Sequence, residues 1–566
     1  MELSAEDVEA KADREGVKLE LDRLREFGVY EDRPAAEAAG QKHVTTKWEK
    51  SWKYDPKTDK WFVRARFVAR EFKWCEWRDD LFAPSAGHST HRLIDYVALR
   101  EGHVTFTADA SNAYFHVPET EVVYVDPPEE YVQQLRDEGK PVDIKRRLRK
   151  QLYGRRKAAQ LWMQHMAGVL VELGFNQCEA APQFFYAPVR NIALELHMDD
   201  IHGCGSKPDV EQFLTELATK IRLKHDIMEA DGREYQHLKR TRVRHTTHTE
   251  IRPNPKYVEK VREQLGMTTC NPAPTPSVEA HRAERGQPGD EPLGVDGHKL
   301  FRTCVGSLAY FALDRDDVQY EVNMLAQDLA APTASSMKRL KRLVRYLSGT
   351  MDMAVVMRRP FNTKPGVATL NVYSDSDWAG DTLTRRSQSS VHIEVDGCPL
   401  HGASRRQNAT ATSSAEAEYY AACAALSEAI HIREVLVFFG YEVVMRLLMD
   451  SSAARGICRR EGVGRVKHLE TKCLWVQQYV KKKIVKVSDV PTADNKADLG
   501  TKTLSAARLE HLRRICGLMR HSVADPGAVA SLVESSVDTH CVSAADRDRI
   551  SWLAKVLLAI GAPSAH

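Results

Sequence analysis

The stretch 194–205 reads LELHMDDIHGCG: a hydrophobic strand, the adjacent aspartates Asp199 and Asp200, then a second strand or turn. Two acids side by side at a hairpin tip repel one another. Holding them together calls for a positive partner, either a metal ion or a Lys or Arg; a solvated turn is the competing reading. A further acid from far along the chain shifts the balance. In 105–117, TFTADASNAYFHV, Asp109 closes an apolar strand and Tyr114 follows five positions on. A strand-end Asp meeting a hairpin Asp pair builds a two-metal site. Two divalent ions there would lower the pKa of a 3′-hydroxyl, stabilise a pentavalent phosphorus and take up charge on departing pyrophosphate. Carboxylate oxygens suit Mg²⁺, which keeps water and substrate phosphates as its other ligands, and Mn²⁺ can substitute. The Tyr114 ring would then lie under the incoming sugar, where its bulk excludes a 2′-hydroxyl.

A second acidic set lies nearer the C-terminus. Asp375 follows a strand in LNVYSDSDWAG (370–380), and Ser413 with Glu416 forms a capping box that opens an alanine-rich helix over 417–438. Glu418 falls in the first turns of that helix. A strand at 443–449 ends on Asp450, and Asp498 lies on a closing helix after a strand at 484–490. With further strands at 389–395 and 400–404, the order predicts a mixed sheet flanked by helices. Four acids gathered at one sheet edge repel unless cations join them. Two Mg²⁺ ions permit hydrolysis, one generating hydroxide and the other stabilising the leaving 3′-oxygen. Asp377 and Glu416 are the neighbours most easily confused with Asp375 and Glu418. His468, beside Lys467, is either a mobile group near the scissile phosphate or a simple phosphate contact or cap.

The elements that must position these acids follow from hydrophobic period. Residues 1–38 read as amphipathic helix with Leu19, Leu21, Leu24 and Phe27 as the apolar set. The runs 48–54 and 61–72 read as hairpin arms around Asp55-Pro56-Lys57. A strand is expected at 121–125, a helix at 160–173, and a strand pair at 183–189 and 192–198. Leu238, Val243, Tyr257, Val258, Val261 and Leu265 are expected to pack a segment whose Arg and Lys side chains face outward. Residues 271–299, rich in Pro, Gly and acids, read as a linker, and 301–350 as basic helix.

The chain has 566 residues and is 43% hydrophobic and 28% charged, which excludes collagen-like, mucin-like and wholly disordered classes. Lys plus Arg number 81 against 78 Asp plus Glu, so the net charge of +3 says little and placement says more. Residues 1–40 hold twelve acidic and six basic side chains, whereas 140–157 hold nine basic ones and a single Asp. Basic stretches at 145–157, 239–252, 338–345 and 481–486 are expected to line a groove for a polyanion, giving salt-dependent, sequence-independent binding. A solvated charge face is the alternative for each. Eleven dispersed cysteines without a CxxC pair argue against a disulfide scaffold or a structural zinc. The polar, acidic N-terminus carries no signal peptide, and the apolar run 552–560 is too short to cross a bilayer. An intracellular protein is expected, in the cytoplasm or the nucleus, with no membrane partner.

Motifs in fixed order carry a resemblance. Residues 64–72 (RARFVAREF), 81–84 (LFAP), 109–115 (DASNAYF), 152–162 (LYGRRKAAQLW) and 197–200 (HMDD) follow one another. Segments at 266–276, 301–322 and 345–350 come next, then 373–380 (YSDSDWAG), 385–387 (RRS), 404–407 (SRRQ), 413–419 (SSAEAEY), 467–470 (KHLE) and 497–502 (ADLGTK). The series resembles the reverse transcriptase and ribonuclease H portion of copia-type retrotransposon Pol polyproteins over about residues 15–519. The resemblance implies Asp109, Asp199 and Asp200 as polymerase metal carboxylates. It implies Arg64 and Arg66 as finger residues on the nucleotide triphosphate, where the planar guanidinium grips two phosphate oxygens. It implies Asp375, Glu418, Asp450 and Asp498 as the ribonuclease H metal acids. Several positions depart from the family pattern, among them Arg155-Arg156 in place of Leu-Lys, Ala159 in place of Pro and Arg70 in place of Lys. Lys157 stands in place of a nucleotide-positioning Gln, Gln160 in place of Arg, and His197 in place of Tyr; a lysine reaches phosphate but cannot copy the two-sided hydrogen bonding of an amide.

The implied fold class is α+β: a right-hand polymerase of fingers, palm and thumb followed by an α/β ribonuclease H-like domain. The implied segments are an N-terminal helical extension (1–40), fingers and palm (41–235), a thumb-like segment (236–270), the linker (271–299), a helical connection (300–367), the ribonuclease H-like domain (368–519) and a weakly patterned tail (520–566). The implied activity is DNA synthesis from dNTPs on RNA or DNA templates, with hydrolysis of the RNA strand of hybrids. Partners are then RNA template, DNA primer, RNA–DNA hybrid and dNTPs. The chain would be a processed product, a fragment or a gene model cut from a longer polyprotein. The rival reading is a degenerate or domesticated copy that binds nucleic acid, with or without the ribonuclease H activity alone.

Overall fold

The computed structural model describes residues 5–521 except 56–57, 73–80, 82, 85–86, 362, 382 and 463–473. The turn at Pro56-Lys57, His468 and nearly all of the tail therefore lie outside the described residues. The architecture is α+β, with two compact units: residues 1–229 with 434–441, and residues 230–433 with 442–566. Among the described residues, no helix is long and apolar enough to cross a membrane.

In the first unit a six-stranded antiparallel sheet runs in the order 223–228, 104–110, 200–205, 192–197, 184–187, 176–177. Alternation along Val104–Ala110 turns Phe106, Ala108 and Ala110 into the core while Asp109 faces out. That core is closed by the helices Ala158–Glu172 and Lys207–Lys220 through Trp162, Met166, Leu170, Phe213, Leu214 and Leu217. Thr46–Asp55 and Lys60–Ala69 form the expected hairpin, with Trp48 opposite Phe67. The N-terminal helix spans Ala5–Glu26 and buries Val17, Leu21 and Leu24, whereas Leu19 is 48% exposed. The buried stripe thus recurs at 17, 21 and 24, the three-to-four spacing of one helix face, and Leu19 falls on the opposite side.

The second unit holds two sheets. One is antiparallel, in the order 231–237, 240–245, 248–252, 353–358, 518–520. Its helical companions Lys256–Gln264, Val295–Phe311, Asp316–Ala326, Ala334–Ser348 and Ala506–Ile515 share one core, which includes Val258, Phe301, Leu308, Leu343, Leu347 and Leu512. The stretch read as a linker contains a short helix, Glu279–Ala283. The other sheet runs 398–406, 388–395, 367–377, 442–449, 485–489, antiparallel through its first three strands and parallel through the rest. The helix Ser414–Phe438 follows its third strand in sequence.

Several arginines of the expected basic groove are internal. Arg339, 2% exposed, donates to Glu321 at 2.9 Å and Asp328 at 3.3 Å. Arg155 is enclosed by Glu71, Glu119 and Glu121, and the Arg146 guanidinium lies 3.6 Å and 4.1 Å from the ring centres of Tyr30 and Tyr131. These arginines hold structure; a phosphate would have to displace buried carboxylates or stacked rings to reach them.

Candidate active sites

In the first unit the hairpin joining Ile192–His197 to Asp200–Gly205 turns through Met198 and Asp199, with His197 opposite Asp200. Met198 has φ of 56°, the left-handed region that non-glycine residues rarely adopt. Two bonds hold this turn. The fully buried Trp162 donates its Nε1–H to the Met198 carbonyl at 2.7 Å, and the Ala110 N–H donates to the Asp199 carbonyl at 2.9 Å. Asp200 is directly opposite Asp109, and on its other side Asp109 is opposite Lys224. His197, Asp200, Asp109 and Lys224 thus form one row across four strands and share a sheet face.

The electrostatics follow from that row. Burial, then the charges of Asp199 and Asp109, push the Asp200 carboxyl up to about 6. Asp109 is raised by partial desolvation and by Asp199, while Lys224, Arg64 and Arg66 pull it back. A cleft of about 520 Å³ opens here, lined by Arg64, Asp109, Asn112, Tyr153, Asp199 and Lys224 among others. Arg66 lines an adjoining cavity with Arg64, its guanidinium 4.8 Å from the Tyr153 ring centre. Tyr114 packs edge-on against Tyr153, with ring centres 5.3 Å apart, and lines neither cavity. Lys157 likewise stands outside the cleft, paired with Glu121 at 3.1 Å. Lys224, Trp162 and Tyr153 are the residues that motif reading missed. Trp162 and Tyr153 lie within the 152–162 motif, but only strand pairing reveals Lys224.

The second unit gathers another acidic set. The strand Val367–Asp377 runs past Asp375 and pairs in parallel with Glu442–Met449, Tyr373 beside Leu448. Two residues further along this register, Asp375 and Asp450 come level. Ligand oxygens of Asp375, Glu418 and Asp450 all lie within 4.8 Å of one another. Burial, then the charges of Asp375 and Asp450, push Glu418 up to about 8. Asp375, 2% exposed, is pushed up to about 6, chiefly by burial. Glu418 Oε2 is buried and has no hydrogen-bond partner. An oxygen-only donor set with mutual repulsion and one orphaned oxygen fits a hard divalent cation.

Asp498 is outside this triad. It sits on a 3₁₀ turn, Lys496–Gly500, rather than on a longer helix, and is held by Lys502 at 2.6 Å and Arg508 at 3.0 Å. Gly500 lets that turn press onto the sheet: a Cβ there would fall 2.4 Å from Ser390 Oγ. Thr501 donates its hydroxyl to Asp375 Oδ2, and Lys502 Nζ approaches the same oxygen at 3.2 Å. The neighbours are engaged elsewhere. Glu416 accepts from the Thr412 N–H at 2.7 Å and from the Tyr420 hydroxyl at 2.8 Å, and Asp377 accepts from the Gln388 N–H. The capping box is therefore displaced by one residue, since Ser413 caps the Glu416 amide while the Glu416 carboxylate reaches back to Thr412.

Residues 35–279 match the reverse transcriptase (RNA-dependent DNA polymerase) family. The chain is 27% identical over 465 residues to the retrovirus-related Pol polyprotein from transposon RE2 of Arabidopsis thaliana, covering 81% of this chain and 31% of that protein. To the corresponding polyprotein from transposon TNT 1-94 of Nicotiana tabacum it is 24% identical, covering 88% and 37%. It thus spans about a third of the length of these curated relatives. Among solved structures, a foamy viral protease-reverse transcriptase in complex with double-stranded DNA aligns at 10% identity and a TM-score of 0.25, covering 87% of this chain and 71% of that one.

Proposed function

Because this chain belongs to the copia-type retrotransposon Pol polyproteins, in their reverse transcriptase portion, we propose that it synthesises DNA from dNTPs on RNA or DNA templates and hydrolyses the RNA strand of hybrids. The observation that carries the polymerase reading is the cross-strand pair Asp109–Asp200, with Asp199 held at the hairpin tip beside it. Divalent ions bound by these carboxylates, Mg²⁺ by preference, would supply charge neutralisation and activation of the 3′-hydroxyl, and at the triad a hydroxide for hydrolysis.

This chain's own residues do the positioning. The Trp162 bond to Met198 and the Ala110 bond to Asp199 fix the hairpin tip, so the aspartates need no reorganisation when substrate arrives. Arg64, exposed at the cleft, supplies a forked donor for the triphosphate, with Lys224 as a second cation. In the triad, Thr501 and Lys502 hold Asp375 while the Ser376 amide bonds Glu418.

Primer extension on an RNA template with Mg²⁺ tests the polymerase reading: extension abolished by Asp199→Asn supports it, and its persistence refutes it. Release of RNA fragments from a labelled hybrid, lost on Asp450→Asn, tests the hydrolase reading separately. One observation favours the rival reading of a nucleic-acid-binding copy: Lys157, where the family carries its nucleotide-positioning amide, is engaged by Glu121 away from the cleft. Duplex binding without extension would select it.

A further inference from the structure

The strands Arg240–His245 and His248–Arg252 are joined by the two-residue turn Thr246-Thr247, so His245 and His248 flank the turn on directly opposed positions. Opposed residues share a face, and Glu250, two positions beyond His248, returns to it. The two imidazoles stack with ring centres 4.4 Å apart and planes 18° from parallel. Ligand atoms of His245, His248 and Glu250 all lie within 4.8 Å of one another. From these positions we propose that the hairpin binds a borderline transition-metal ion, Zn²⁺ being the best match, through His245, His248 and Glu250.

The groups around the three are arranged as a metal site requires. Thr247 Oγ1 bonds His248 Nδ1 at 3.0 Å, leaving Nε2 to face Glu250 Oε1 at 3.6 Å. Arg252 holds only the other oxygen, Oε2, through Nε at 3.0 Å and Nη2 at 2.7 Å. Fixing a ligand through its second polar atom is the usual second layer of a zinc site. Gly232, on the neighbouring strand with φ of 81°, lies beside the His245 ring, and a Cβ there would make an ordinary van der Waals contact with it at 3.4 Å. The cation opposite His248, Arg358, sends its guanidinium to Met519 Sδ at 3.1 Å. Tetrahedral zinc, with bonds of about 2.0–2.1 Å, needs ligand atoms about 3.3 Å apart, so the side chains must close by roughly an ångström. Three protein ligands leave a fourth position to water. Two imidazole nitrogens and one oxygen disfavour Mg²⁺, which separates this site from the carboxylate clusters. The cysteine spacing, which argued against a structural zinc, does not bear on a site built without cysteine.

Calorimetric titration of ZnCl₂ into the full chain, in excess MgCl₂, tests the proposal. The expected result is that His245→Ala/His248→Ala binds one equivalent less than the parent. Zn²⁺ should raise the melting temperature of the parent and not of the variant. The single variant His248→Cys retains a zinc ligand and should keep the equivalent. Equal stoichiometry in parent and double variant, no tight Zn²⁺ binding in the parent, or loss of the equivalent in folded His248→Cys would overturn the proposal.

Discussion

Lys502 Nζ lies 3.2 Å from Asp375 Oδ2 and bridges that carboxylate to Asp498. A lysine therefore stands beside the acidic triad and supplies part of the charge balance a metal would complete. Its charge lowers the Asp375 pKa against the upward push of burial. Lys502→Gln removes that restraint, so Asp375 will take up a proton at higher pH. The acidic limb of the hybrid-cleavage pH profile, measured at fixed Mg²⁺, is expected to move to higher pH.

Glu418 is pushed up to about 8 and Asp375 up to about 6, both above ordinary carboxylate values. In the folded, metal-free protein they hold protons that the unfolded chain has already released. Their contribution to stability is present below about pH 4 and is lost as pH rises through 6 and then 8. Glu418→Gln should stabilise the metal-free protein at pH 8 by about 1–3 kcal/mol, with little effect at pH 4. Denaturant melts in a chelator at both pH values check this, and added Mg²⁺ should reverse the ranking of parent and variant.

Trp162→Phe keeps a ring in the core but removes the N–H that bonds Met198. The loss should cost about 1–3 kcal/mol, combining a hydrogen bond with a small cavity. With its tip loosened at a residue of positive φ, the hairpin should extend primers about tenfold more slowly, with dNTP KM changed less than kcat. Steady-state extension kinetics on folded variant protein read this split.

Arg339 belongs to a run that read as a phosphate-binding stretch, yet it closes an ion-pair network with Glu321 and Asp328. Arg339→Met should destabilise the chain by about 3–5 kcal/mol, because the buried Glu321 carboxylate loses its ion pair with Arg339 while Asp328 keeps Arg285 and Ser336. The salt dependence of duplex binding should stay as in the parent. Arg64→Ala should behave in the opposite way, sparing the melting transition and raising the dNTP KM, since Arg64 is exposed at the cleft.

The acids of both sites were legible in the linear chain because each ends or interrupts a strong hydrophobic period. Strand alternation leaves Asp109 as the outward residue between buried Ala108 and Ala110, and the alanine-rich helix announces Glu418. What each charge faces was not legible. Periodicity states which side of an element is apolar, whereas the partner of a charged group depends on elements distant in sequence. Arg155, Lys157 and Arg339 therefore read as phosphate ligands and fold as ion-pair partners. Asp498 reads as a fourth metal acid, and what the sequence does not show is that Lys502 and Arg508 pair with it and that Lys502 links it to Asp375. The local order of hydrophobic and acidic residues determined by itself the strands, the helix and the position of the acids along them. Register decided the rest: a one-residue slip turns every side chain to the other face, and only the assembled sheets align Asp109 with Asp200 and bring Asp375 level with Asp450.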